Sequence, residues 1–344
     1  MLTITTLKQI LADPKRIAIT THHKPDGDAL GSSLAVYLWL KNKGHEVHLI
    51  VPSDYPSFLH WMPHQDEVMI YTEQQVQADI LIQHAQLLFC LDFNGLARTY
   101  DMQQTLAAST ATKIMIDHHL DPEGFDDFRH WNPEAAASAY LVYDFIVNQM
   151  DDRASITPEI ATCLYTGIMT DTGSFRFQST TAEIHLVVAD LIALGAKNAE
   201  IHDAVYNNSS ENRLKFLGFC LLNRLVVLPE YHTAYFAISK EDLTQFQVIT
   251  GDTEGLVNYA LSISGIRLAA LIIDRTYQVK LSLRSTGDFP ANEICNLYFN
   301  GGGHRNAAGG HSEQRLEEVV EKFKLILPLY KERLTANEIT DLSK

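Results

Sequence analysis

Cysteine, basic charge and long apolar runs are all scarce in this chain of 344 residues, and each shortage excludes something. The four cysteines, Cys90, Cys163, Cys220 and Cys295, stand far apart. They have neither the paired spacing of a zinc site nor the density of a disulfide scaffold, so they read as buried, reduced thiols. Lysine and arginine number 27 against 42 aspartates and glutamates, a formal charge of −15. That balance repels a long phosphate backbone, so any nucleic-acid partner has to be short and long duplexes are excluded. No run approaches the length of a membrane span, and "LTITTLKQILADPKR" after Met1 has no basic start leading into a signal-type apolar block. The expectation is a soluble, cytoplasmic protein with no membrane partner. Internal repeats, low-complexity tracts and Pro/Ser-rich linkers are missing too.

What is present is enough apolar sequence, 46%, for two ordinary domains. "RIAITT" (16–21), "HEVHLIV" (45–51), "QLLFCLDF" (86–93) and "KIMIDHH" (113–119) read as strands. Helices are expected at 28–44, ended by Gly44, and at 73–84, and this alternation predicts an α/β domain with a parallel sheet. Helices dominate 135–223. From residue 224, "RLVVL", "TAYFAIS", "IRLAALIID" and "YQVKLSLRS" read as four strands, the last two flanking a tight turn at Arg275 and Thr276. The expected organisation is a catalytic domain over 1–197, a helical connector over 198–223, and a smaller mixed-sheet α/β domain over 224–344, with a frayed tail after Thr335.

The carboxyl ends of parallel strands are where α/β proteins build sites. Here the first strand leads into His22, Asp26 and Asp28 in "THHKPDGDALGS", another ends at Asp92, and another at Asp117, His118 and His119. A helix ends at Asp171 in "GIMTDTGSF". Any one of these fragments alone reads as a polar loop; four of them at element boundaries do not. Converging carboxylates repel unless cations sit among them. Oxygen-rich donors with one imidazole per ion suit two Mn²⁺, with Mg²⁺ or Co²⁺ as substitutes. Two such ions can activate a nucleophile and clamp a phosphoryl group, which implies phosphoester or phosphoanhydride hydrolysis.

The motifs "THHKPDGDALGS", "LDFN", "IDHH" and "TGIMTDTGSFRF", followed by "GGGHRNAAGG" at 301–310, together resemble the DHH/DHHA1 phosphoesterases, in particular the nanoRNase/pAp-phosphatase branch. The resemblance implies that His22, Asp26 and Asp92 hold one ion, and that Asp28, Asp92, His118 and Asp171 hold the other. It implies that His119 contacts the phosphate and that Asp117 orients the histidine pair, while His23 stands at a variable position and reads as a bystander. In the second domain the glycine run could form an anion-binding nest, Gly302 and Gly303 included, or be a plain connection before a helix near Ser312. By resemblance, Arg284 and His304 bind substrate, with Arg305 as a further donor. Arg98, soon after Asp92, either faces the phosphate or is a solvated loop arginine, and the second reading is preferred.

The resemblance implies an enzyme that cuts short RNA oligonucleotides to mononucleotides and dephosphorylates pAp. In this picture the first domain cuts and the second measures across a shared cleft, and a homodimer is compatible with the resemblance. Rival readings are a cyclic di-AMP or pApA phosphodiesterase, a pyrophosphate or polyphosphate hydrolase, and a catalytically silent nucleotide-binding regulator. The intact ligand set argues against the silent regulator.

Overall fold

The computed structural model describes residues 1–336, so the tail beyond Ala336 lies outside the described residues. The chain forms two compact units, Met1–Asn208 and Ser209 onward. The split falls within 198–223, between the helices Asn198–Tyr206 and Glu211–Asn223, so one helix of the expected connector belongs to each unit. No described helix is long and apolar enough to cross a membrane.

In the first unit, β1 (Arg16–Thr20), β2 (Glu46–Val51), β3 (Met69–Ile70), β4 (Leu87–Leu91), β5 (Thr112–Asp117) and β6 (Phe128–Trp131) form one sheet. Its order is β3-β2-β1-β4-β5-β6, with every pairing parallel. The strands carry apolar residues on both faces: Ile17 and Ile19 belong to one core and Ala18 to another, as do Phe89 and Leu91 against Leu88 and Cys90. Helices cover both faces, which is why these strands read as unbroken apolar runs rather than alternating ones. The four cysteines are buried and unpaired. β3 and β6 have no counterpart among the strands expected from sequence. β3 is two residues long, and β6, FRHW, is half polar.

The order reverses at β1. The chain builds outward through β2 and β3, then returns to lay β4 on the other side of β1. That reversal opens a crevice at the carboxyl ends of β1 and β4. Register sets the level there: Thr20 pairs with Cys90 and Cys90 with Met115. Two residues beyond these partners come His22, Asp92 and Asp117, at one height above the sheet.

Two helices close the crevice. Gly27–Asn42 is buried along nearly its whole length, against β strands on one side and the helix Pro158–Asp171 on the other. Glycine allows the approach. A Cβ on Gly31 would stand 2.6 Å from the Cys163 carbonyl oxygen, and one on Gly167 would stand 2.5 Å from the Ala139 Cβ and 3.0 Å from Asp28 Oδ1. Glycine inside a helix costs about 1 kcal/mol relative to alanine. Here the close approach it permits brings the start of one helix beside the end of the other.

The second unit is a six-stranded mixed sheet of order β11-β12-β10-β9-β8-β7. Its strands are β7 (Leu225–Leu228), β8 (Thr233–Ile238), β9 (Leu268–Asp274), β10 (Val279–Ser285), β11 (Gly302–His304) and β12 (Ala307–Ser312). Only β8 and β9 are parallel. Along β9, Leu268, Ala270 and Ile272 face one core with Phe323 and Ile294, while Ala269, Leu271 and Ile273 face another with Phe216 and Val257. The "GGGHRNAAGG" run is neither an open nest nor a connection. It is the hairpin β11–β12, with Gly302 opposite Gly309 and His304 opposite Ala307. A Cβ on Gly301 would stand 2.0 Å from the Gly309 carbonyl oxygen and one on Gly310 2.7 Å from that of Phe299, so these glycines admit neighbouring backbone. The following helix begins at Leu316.

Gly31→Ala should therefore destabilise the protein despite alanine's better helix propensity, by about 1–3 kcal/mol for a methyl forced against backbone. Urea unfolding checks this, and a midpoint that rises would refute the close-approach reading.

Candidate active site

Asp26 has two roles at the start of the helix Gly27–Asn42. Its Oδ1 accepts from the amides of Asp28 and Ala29, both at 3.0 Å, capping the helix. Its Oδ2 faces His22 Nε2 at 4.0 Å. Asp28, in the first turn, is 1% exposed and reaches the other way. It accepts from the amides of Ser138 (2.6 Å) and Ala139 (2.8 Å), at the start of another helix. The "PDGD" segment thus sends its two carboxylates to different partners.

Asp92 stands between them, 2% exposed and at φ 63°, a left-handed conformation that aspartate tolerates better than most residues. Its oxygens diverge. Oδ2 lies 3.5 Å from His22 Nε2, and Oδ1 lies 3.5 Å from His118 Nε2 while accepting from the Ser138 hydroxyl at 2.8 Å. His118 Nε2 also lies 3.8 Å from Asp28 Oδ2 and 3.6 Å from Asp171 Oδ2. Two donor groups result, each within 4.8 Å: His22, Asp26 and Asp92, and Asp28, Asp92 and His118. A third, Asp92 with Asp117 and His119, adjoins them.

The histidine tautomers follow from what their other nitrogens touch. His22 Nδ1 lies 3.0 Å from the His23 carbonyl oxygen and His118 Nδ1 lies 3.0 Å from that of Ala135. A carbonyl oxygen only accepts, so each Nδ1 carries a proton and, in the neutral ring, each Nε2 presents a lone pair to the carboxylates. This is the arrangement that metal-binding histidines use. His119 Nδ1 donates to Asp117 Oδ1 at 2.8 Å, and Trp131 Nε1 donates to the His119 carbonyl at 2.8 Å, fixing the ring and its loop. Asp117 is fully buried, and its Oδ2 has no hydrogen-bond donor.

Charge in this pocket is unbalanced. Burial and the neighbouring charges of Asp92, Asp171 and Asp26 push Asp28 well above the usual carboxylate range. Burial pushes Asp92 up as well, but His22, His119 and His118 outweigh it and leave it low. Burial pulls His22 and His118 down, yet the facing carboxylates more than reverse this and hold both above the ordinary imidazole value. His119 ends lower, because burial and the Arg98 charge prevail over Asp117. Protonating imidazoles and a carboxyl is the protein's own remedy for the repulsion. The donor set, hard oxygens with outward-facing imidazole nitrogens, fits divalent cations as a stronger remedy.

All eight first-unit residues singled out from sequence therefore come together: His22, Asp26, Asp28, Asp92, Asp117, His118, His119 and, at the end of its helix, Asp171. Arg98 is half-buried, and its charge is felt at both His22 and His119, unlike the solvated loop residue expected. Sequence reading missed Ser138, which touches Asp28 and Asp92. A serine opening a helix after "AAA" was the available signal.

In the second unit, register places His304 opposite Ala307 and Ala307 opposite Arg284. Paired residues share a face, so Arg284 and His304 flank a small side chain on one rung, two strand spacings or about 10 Å apart. Ser282, Gly309 and Gly302 form the next rung. This is a low floor between two nitrogen-bearing side chains. Gly303, at φ 134°, makes close approach to the Ala307 backbone. Arg305 is exposed and is held by Asp288, through its carbonyl at 2.7 Å and its carboxylate at 3.2 Å.

Residues 16–168 match the DHH family, N-terminal domain, and residues 231–328 match the DHHA1 domain. The bifunctional oligoribonuclease and PAP phosphatase NrnA of Thermus thermophilus is 32% identical over 315 residues, covering 89% of this chain and 88% of the relative. The cyclic-di-AMP phosphodiesterase GdpP of Geobacillus thermodenitrificans is 25% identical, over 92% of this chain and 49% of its own. The crystal structure of an exopolyphosphatase-related protein from Bacteroides fragilis superposes with a TM-score of 0.91 at 40% identity, covering 96% of this chain and 97% of that one.

If the pocket's protons are those a cation displaces, Mn²⁺ binding should release protons, from His22, His118 and Asp28, whose proton affinities are raised. Affinity should then rise as pH increases from 6 to 8. Calorimetry in two buffers of different ionisation enthalpy measures the release. Binding without it would remove these groups from the ligand set.

Proposed function

The chain belongs to the DHH/DHHA1 phosphoesterase family, and from that premise we propose that it hydrolyses oligoribonucleotides of a few residues to mononucleotides and dephosphorylates pAp to AMP. The observation that carries the reading is the divergence of the two Asp92 oxygens between two histidine-containing donor groups. In this proposal His22, Asp26 and Asp92 hold one Mn²⁺, and Asp28, Asp92, His118 and Asp171 hold a second. When bound, the pair supplies Lewis-acid activation of water and charge neutralisation at the phosphoryl group.

The protein's own residues do the rest. Ser138 and the amides of Ser138 and Ala139 fix Asp92 and Asp28 before any ligand arrives, so no reorganisation is needed at the moment of reaction. Asp117 holds the His119 proton on Nδ1, leaving Nε2 as a lone pair that can accept a hydrogen bond or a proton at the phosphate. His119's lowered proton affinity keeps that ring neutral near pH 7. In the second unit, Arg284 and His304 bind a phosphate or base of the substrate, with Gly302 in the low floor, the neighbouring Gly303 contributing backbone only, and Arg305 at its border. The acidic surface of the chain favours a short, anchored substrate over a polymer.

Similarity to NrnA at 32% identity supports the oligoribonuclease and phosphatase pairing, while the more distant likeness to GdpP keeps cyclic di-AMP as a second substrate to test. The test is the product profile in Mn²⁺ and in EDTA on pAp, a 5′-phosphorylated RNA dinucleotide, a 24-mer RNA, cyclic di-AMP and polyphosphate. AMP from pAp and mononucleotides from the dinucleotide, with the others slow, is the expected result. Preference for the cyclic compound or for polyphosphate would displace it.

Asp92→Ala should abolish turnover of every substrate, since one side chain serves both donor groups; near-normal turnover would refute the two-ion assignment. Arg284→Ala should raise KM for the dinucleotide about tenfold or more, the scale of a lost charge-assisted contact, with Mn²⁺ affinity unchanged. An unchanged KM would remove Arg284 from the substrate site.

A further inference from the structure

The segment Leu96–Met102 after Asp92 is a 3-10 turn interrupted at Tyr100, which takes φ 50° and ψ −114°. Those angles match the first central position of a type II′ turn, where glycine is the ordinary occupant. A bulky aromatic residue there is a genuine backbone outlier, of the kind that persists where its surroundings hold it and that clusters at ligand sites. The strain is not repaid by burying the ring, because Tyr100 is 60% exposed. Among the described residues its ring partner is His23, with centroids 4.3 Å apart and planes tilted by 33°.

His23 is tied to the site on both sides. Its amide donates to the Arg98 carbonyl at 2.8 Å, and its own carbonyl holds His22 Nδ1 at 3.0 Å. Arg98, two residues before Tyr100, is close enough to His22 and His119 to lower the proton affinity of both. The aromatic pair is therefore anchored at one end to a residue of the donor set and at the other to the cation beside it.

We infer that Tyr100, backed by His23, is a stacking platform for the base of the nucleotide next to the scissile phosphate. An exposed aromatic ring backed by a histidine that follows a residue of the donor set fits a purine or pyrimidine ring, and stacking tolerates any base. Arg98 supplies the charge for the adjoining phosphate. The platform makes a nucleotide, rather than an inorganic phosphate chain, the preferred substrate. His23 is then no bystander. The inference rests on the nucleotide-hydrolase reading and adds to it a determinant in the first unit.

The experiment compares wild type, Tyr100→Ala, Tyr100→Phe and Tyr100→Gly in Mn²⁺, on a 5′-phosphorylated RNA dinucleotide and on its counterpart lacking both bases. Tyr100→Gly suits the observed backbone and so guards against a folding defect. Stacking on an aromatic side chain is worth about a 5- to 150-fold change per base. Tyr100→Ala and Tyr100→Gly should each raise KM for the base-bearing substrate by roughly tenfold with kcat little altered. Tyr100→Phe should match wild type, and the abasic substrate should show no difference. Equal losses on both substrates, or none on either, overturn the platform. Binding of AMP against ribose 5-phosphate, measured by calorimetry on the same proteins, separates the two readings. A wild type that leaves the dinucleotide uncut but prefers AMP by a margin that Tyr100→Ala erases sinks the oligonucleotide reading and keeps the platform. Equal affinity for the two ligands overturns the platform whatever the hydrolysis result.

Discussion

Asp28 and Asp92 are almost entirely removed from water, and among the described residues neither is paired with a lysine or arginine. Buried carboxylates without a fixed countercharge are expensive, and the remainder of the first unit is arranged around keeping them there. Amides from the helix beginning at Ser138 hold Asp28 and a hydroxyl holds Asp92. Imidazoles face both, each oriented by a backbone carbonyl on its far side. Such an arrangement is poor as a stabilising core and well suited to receiving cations, which is the usual trade between stability and a preorganised site.

The geometry depends on two features remote from any chemistry. Strand order reverses at β1, which opens the crevice, and two helices approach through Gly31 and Gly167, which narrows it. Shifting either strand by one residue would turn its last side chains to the opposite face. The site is thus a property of register and helix spacing as much as of the motif residues that fill it.

Much of this was legible from the sequence. Long apolar strands flanked by helices declared the parallel sheet, and the polar residues at their ends declared the crevice. The two-residue β3 and the half-polar β6 gave no periodic signal, and their pairing is imposed by neighbours. The glycine run misled because glycine marks both anion-binding loops and strands packed tightly on other backbone, and only the register of β11 with β12 distinguishes them. Ser138 was hidden because its role is to hold carboxylates 46 and 110 residues away. Tyr100 was invisible because composition does not report a backbone angle.

The residues of the first-unit site are drawn from positions 22 to 171, across five separate elements or their ends. An unfolded chain with donors so dispersed offers no preformed chelate, in contrast to short metal modules whose ligands sit a few residues apart. Any cation the site takes up must follow the pairing of β1, β4 and β5, each a contact of long sequence separation that closes slowly. A metal ion would reach a finished scaffold here, so the apolar sheet and the glycine-spaced helices must be able to fold while the acidic crevice is still uncompensated.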